Sequence, residues 1–145
     1  MITQRTPTDC GIASLANALG ITYEQALTCF GPQADLRGTT AADTCNALIS
    51  LGLSPVYATF PDFYRHLQIT GNPCSLDVVR DRPAILTILS RNGYNLHAVY
   101  WDGQQTHDPD PKSLQPRDLS SMVVLEAVFV SKNGLCANRK AGLGA

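Results

Sequence analysis

Between Leu96 and Pro109 the chain spells out a β-hairpin, and no other segment limits its fold as tightly. Leu96-His97-Ala98-Val99-Tyr100-Trp101 is a strand-like run, Asp102-Gly103 is a strong two-residue turn, and Gln104-Gln105-Thr106-His107-Asp108 returns. Pro109 ends the ladder, because proline cannot donate to a sheet. With Asp102 and Gly103 as the loop, Trp101 faces Gln104, and the same ladder sets His97 against Asp108. Directly opposed residues share a face with Cβ atoms about 4.5–5.5 Å apart, close enough for an imidazole to donate to a carboxylate. On ordinary alternation His107 falls on the other face, against Ala98, as a surface or supporting residue. Asp110, opposite Asn95, is the reserve carboxylate.

The hairpin belongs to a strand-rich second half. Ala84-Ile-Leu-Thr-Ile-Leu89 is too continuously apolar for a strand with one wet face and reads as central, within a strand over 84–90. Further strands are expected over 56–60, 96–101, 104–108 and 123–131, with short helical turns over 62–67, carrying a surface His66, and over 75–80. The first half is helical. A small-residue apolar helix over 10–19 stops at Gly20, Thr22 to Gln25 is a capping box opening a second helix to Phe30, and Gly31-Pro32 breaks it. Thr40 caps a third helix through Leu51. Helices first and antiparallel strands later is the α+β pattern, with N-terminal helices packed on a C-terminal antiparallel sheet.

Cys10 opens the first of these helices, directly after a polar loop. A helix start presents unpaired N–H groups and partial positive charge, a setting that favours a thiolate. A cysteine in such a place is ordinarily a small buried hydrophobe. His97 and Asp108 in the other half change its meaning, since a nucleophile needs a base and the base needs a group to hold its ring. Thiolate attack on a carbonyl then creates an oxyanion, for which the Cys10 N–H and the side-chain amide of Gln4, across a loop stiffened by Pro7, are candidate donors.

The stretch Gln4-Arg-Thr-Pro-Thr-Asp9-Cys10-Gly11-Ile-Ala-Ser-Leu-Ala, the His97-Ala-Val-Tyr strand, the Asp108-Pro109 return and Leu36-Arg-Gly-Thr-Thr40 together resemble the bacteriocin-processing cysteine peptidases. These are papain-like domains that cut leader peptides after a double glycine, and the likeness spans about residues 1 to 130. It implies a papain-like fold and a stand-alone peptidase with Cys10 as nucleophile, His97 as base, Asp108 as its orienter and Gln4 in the oxyanion hole. A peptide or protein cut beside small residues is the implied substrate, with no cofactor. The same constellation also serves isopeptidases, deamidases and acyltransferases, and a catalytically silent peptide-binding domain is the alternative from another class. A metal hydrolase using His97, His107, Asp108 and Asp110 fits less well, because adjacent strand residues point to opposite faces.

Composition narrows the partners. A chain of 145 residues with 44% hydrophobic and 16% charged residues is expected to fold as one domain over 1–132, with 133–145 a flexible tail. A net charge of -1, with Lys and Arg scattered, argues against nucleic acid. Cys10, Cys29, Cys45, Cys74 and Cys136 are odd in number and widely spaced, which points to reduced thiols, a cytoplasmic setting and no structural metal; Cys29 and Cys45 read as core. No signal peptide or membrane span is expected, as Met1 leads straight into the cysteine segment.

Overall fold

The computed structural model describes residues 1–113 and 116–130. It is an α+β arrangement in which three helices cover one face of a five-stranded antiparallel sheet. The expected tail over 133–145, with Cys136, lies outside the described residues.

Helix α1 is Cys10–Leu19, ended by Gly20 at φ 66, a left-handed conformation that favours glycine. Its buried residues are mostly small (Gly11, Ala13, Ser14, Ala16, Ala18), which lets its axis lie close to the sheet. Helix α2 (Tyr23–Phe30) starts at the Thr22–Gln25 capping box, with both reciprocal hydrogen bonds formed. A one-turn helix α3, Ala34–Arg37, follows; nothing in the residue pattern announces it. Helix α4, Ala41–Ser50, is capped by Thr40 with Asp43 completing a second capping box.

The strands are β1 (Val56–Thr59), β2 (Ala84–Leu89), β3 (Leu96–Trp101), β4 (Thr106–His107) and β5 (Val124–Phe129), in the order β1-β5-β2-β3-β4. β2 is central, as its apolar run predicts. Both its faces are buried: Ile85 joins the core under α1, α2 and α4, while Ala84, Leu86 and Ile88 join a second core with Val99, Trp101 and Phe60. Helix α5 (Pro61–Leu67) packs against β5, and the 3₁₀ turn Leu76–Val79 places Val79 in that second core. The helices therefore do not all lie on one side. His66 is exposed, as expected.

The hairpin register differs from expectation. Tyr100 pairs with His107 and Trp101 with Thr106, so the loop is four residues, 102–105, and His107 does not face Ala98. The cause is Asp102, whose carboxylate accepts the N–H groups of Gln104 and Gln105 at 2.8 and 2.9 Å and draws both residues out of the ladder. Strand β4 is consequently short, and β3 has an open edge at Ala98.

Candidate active site

That open edge is where α1 docks. Ala98 faces Thr87 of β2, and both of its backbone groups turn to α1: its N–H donates to Cys10 Sγ at 3.4 Å, and its C=O accepts from Ser14 Oγ at 3.1 Å. Cys10 and Ser14 are four apart, hence on one helix face. The helix takes the place of the missing strand, and the sulfur gains a fixed donor.

His97 stands next to this contact. Its Nε2–H donates to Asp108 Oδ1 at 2.7 Å, with the two side chains 17% and 10% exposed. An ionised carboxylate can only accept, so Nδ1 is the ring nitrogen left for the thiol. Cys10 and His97 line the same cavity, and the N–H that reaches the Cys10 sulfur belongs to Ala98, the residue after His97. Burial works against the imidazolium, but the hydrogen-bonded Asp108 and the neighbouring Cys10 outweigh it and raise the His97 pKa to about 10. Burial also opposes the Asp108 anion, yet His97 and the Asp110 N–H, which donates at 2.9 Å, hold its pKa below the ordinary value. Asp110 thus supports the site with its backbone while its own carboxylate accepts from Lys112 N–H.

The pairing of His97 with Asp108 does not come from a ladder rung. The ladder's last rung is Tyr100 with His107; beyond it the chain leaves the sheet, and the buried Pro109 fixes the departure. His107 stacks on Tyr100 at 5.3 Å and pairs with Asp102 at 2.8 Å, away from His97. Among the described residues, no group of three His, Cys, Asp or Glu is arranged to hold a metal ion.

Gln4 is brought to the site by its backbone. The N–H of Gln4 donates to the Pro109 carbonyl at 2.8 Å, next to Asp108, and the Asn17 side chain exchanges hydrogen bonds with the Ile2 backbone at 2.7 and 2.9 Å. The Gln4 amide donates to Thr6 O at 2.9 Å, and its Oε1 is buried with no partner.

Asp9, which the residue pattern did not single out, organises this arm. Fully buried, it accepts from the N–H groups of Arg5 and Thr6 and from Tyr23 Oη at 2.6 Å. Burial and then the Asp9 hydrogen bond push the Tyr23 pKa up. The Arg5 guanidinium lies 3.8 Å from the Tyr23 ring centroid and pairs with Glu24 at 2.9 Å. On the other side, Thr8 Oγ1 donates to the Asp35 carbonyl at 2.6 Å. A helix N-cap aspartate carries a sequence signal, but here the carboxylate turns away from the helix to the loop.

Compared with family models, curated proteins and solved structures, the chain matches none. No helix among the described residues is long and apolar enough to cross a membrane.

Proposed function

We propose that this chain is a papain-like cysteine peptidase, similar in its site to the bacteriocin-processing enzymes. The observation that carries the reading is the Asp108–His97 hydrogen bond beside a helix-start cysteine that lines the same cavity as His97, three groups supplied by three separate segments of the backbone. His97 takes the Cys10 proton, and the thiolate attacks a peptide carbonyl to give a tetrahedral oxyanion. One Gln4 Nε2–H is held by Thr6 and the second serves the oxyanion with the Cys10 N–H. As the C–N bond breaks, His97 returns its proton to the leaving amine; water then adds to the thioester, giving its proton to His97, and a carboxylic acid and the free thiol result. Asp108 keeps the ring in the right tautomer and stabilises its cation.

Iodoacetamide labelling near neutral pH tests the reading. Burial raises the thiol pKa of Cys29 and Cys45, which slows their reaction, and among the described residues Cys74 is the exposed competitor. Cys10 is expected to alkylate first and to lose that advantage in His97→Ala. Equal reaction of all five cysteines sinks the proposal.

A further inference from the structure

The cavity beside Cys10 and His97 runs between α4 and the sheet and encloses about 680 Å³. Its walls are largely small or apolar, with Ala41, Cys45, Ile85, Ala98 and Val128 among them. Into this space β5 sets one carboxylate away from the catalytic groups, Glu126.

Two neutral hydroxyls hold it. Tyr57 Oη donates to Oε1 at 2.6 Å and Thr87 Oγ1 donates to Oε2 at 2.8 Å. These bonds aim the carboxylate without cancelling its charge, and each oxygen keeps a lone pair to offer. Among the described residues, no Lys or Arg lines the cavity and none forms an ion pair with Glu126. The neighbours register the charge: the Tyr57 hydroxyl is pushed up by burial and then by Glu126, and the Cys45 thiol by burial and then by Glu126. A half-buried anion without a counter-charge is costly, and a glutamine or an apolar side chain would occupy the place at less expense. The imidazolium of His97 is already paired with Asp108, which leaves the charge of Glu126 unbalanced in the cleft.

We propose that Glu126 determines specificity, by seating a cationic group of the peptide (a Lys or Arg side chain or a free N-terminal amine) while the scissile carbonyl lies at Cys10. This rests on the reading of Cys10 as the nucleophile. A charge-assisted hydrogen bond in such a cleft is worth about tenfold or more in rate over a neutral isostere.

Peptidyl fluoromethyl ketones carrying Arg, Lys, norleucine or Glu, each with a blocked or a free N-terminus, test it through the rate of adduct formation on Cys10. Each rate is divided by that of iodoacetamide on the same protein. Cationic probes are expected to react about tenfold faster than norleucine and Glu probes slower, with the preference lost in Glu126→Gln. A preference that follows the side chain in blocked probes identifies a basic residue; one that follows the free amine in norleucine probes identifies the N-terminus. Equal rates for Arg, Lys and norleucine with both kinds of N-terminus, or a preference that survives Glu126→Gln, overturn the inference while Cys10 remains the selective thiol. Titration of agmatine against neutral pentylurea into Cys10→Ala protein reads the cation site without the thiol. NMR shifts at Thr87 and Glu126 are expected with agmatine alone, and identical responses to both compounds overturn the assignment even where the peptidase reading has failed.

Discussion

His97 sits under opposed influences, and the balance among them governs its chemistry. Burial disfavours its cation, and Asp108 and Cys10 restore it, leaving a pKa of about 10 against an ordinary 6.5. Replacing Asp108 with Asn removes the charge and leaves the burial, so the imidazole titration followed by NMR should fall from about 10 toward or below 6.5. An unchanged midpoint would mean that Asp108 does not set the ring's basicity. On the proposed thiol chemistry, His97→Ala should lower the rate of peptide hydrolysis about 10²–10⁴-fold, the usual worth of a positioned acid–base group. The same shift fixes a pH window for stability. The native imidazole holds its proton more tightly than the unfolded one, so its contribution is complete below about pH 6.5 and is lost as pH rises toward 10. Asp108 works in the opposite sense: its lowered pKa gives stability that is present above the ordinary 3.8 and disappears on acidification. Urea midpoints measured against pH should therefore decline on both sides, and the alkaline decline should flatten in His97→Ala. Asp9 makes a separate claim at this scale. Asp9→Ala orphans two backbone N–H groups and the Tyr23 hydroxyl, at about 1–3 kcal/mol for each donor that water does not reach. A loss of about 3 kcal/mol in urea unfolding is expected, with Asp9→Asn milder because its amide oxygen still accepts.

Among the elements, the start of α1 lies tight against the segment before α4. A Cβ on Gly11 would overlap Thr39 Oγ1, so the residue after the cysteine has no room for a side chain. Alanine gains about 1 kcal/mol over glycine in helix propensity, while overpacking costs about 1–3 kcal/mol. Gly11→Ala should be neutral to destabilising, and Gly11→Ala/Thr39→Ala should recover stability in the same denaturation assay; a double variant no more stable than the single one would locate the strain elsewhere. The elements also divide according to how legible they are in the residues. Helices α1, α2 and α4 can be read because each carries its own local stop or start, Gly20, Thr22 with Gln25, and Thr40 with Asp43. β2 can be read because burial on both faces leaves a continuous apolar run. The hairpin is half legible. Asp102-Gly103 marks the turn correctly, but the Asp102 side chain lengthens the loop to four residues, and His97 reaches Asp108 outside the ladder that predicts their meeting. The contact is right and the register that predicts it is not. Ser14, Asp9 and Glu126 escape a reading by pattern because the side chains or backbone that fix them, Ala98, Tyr23, and Tyr57 with Thr87, are distant in sequence. A buried serine four residues after the cysteine is the one signal that points to the docking of α1 on β3.

At the scale of the molecule, both cores share one sheet, and the strand order ties distant parts of the chain together. β1 ends the helical half of the sequence yet pairs with β5, and β5 lies against β2, so the sheet closes only when residues 56–59 and 124–129 have met. The helix that begins at Cys10 is held by the open edge of β3, and the Gln4 arm by Pro109. No layer can leave without exposing the apolar face of the sheet, which predicts a single cooperative transition. Trp101, the one tryptophan of the chain, reports on the core away from α1: it is 3% exposed and its Nε1–H donates to Val79 O at 2.9 Å. Far-UV circular dichroism is dominated by helices α1, α2 and α4 on the opposite face. If the two cores unfold together, urea curves from Trp101 fluorescence and from circular dichroism should superimpose, and Ser14→Ala, which removes the donor to Ala98 O, should move both midpoints equally. A Ser14→Ala variant whose dichroism falls before its fluorescence would show that the helical layer peels off by itself. The placement of Cys10 beside His97 would then depend on a lid of helices with its own stability, and Cys10 should lose its labelling advantage over Cys74 at urea concentrations where Trp101 remains buried.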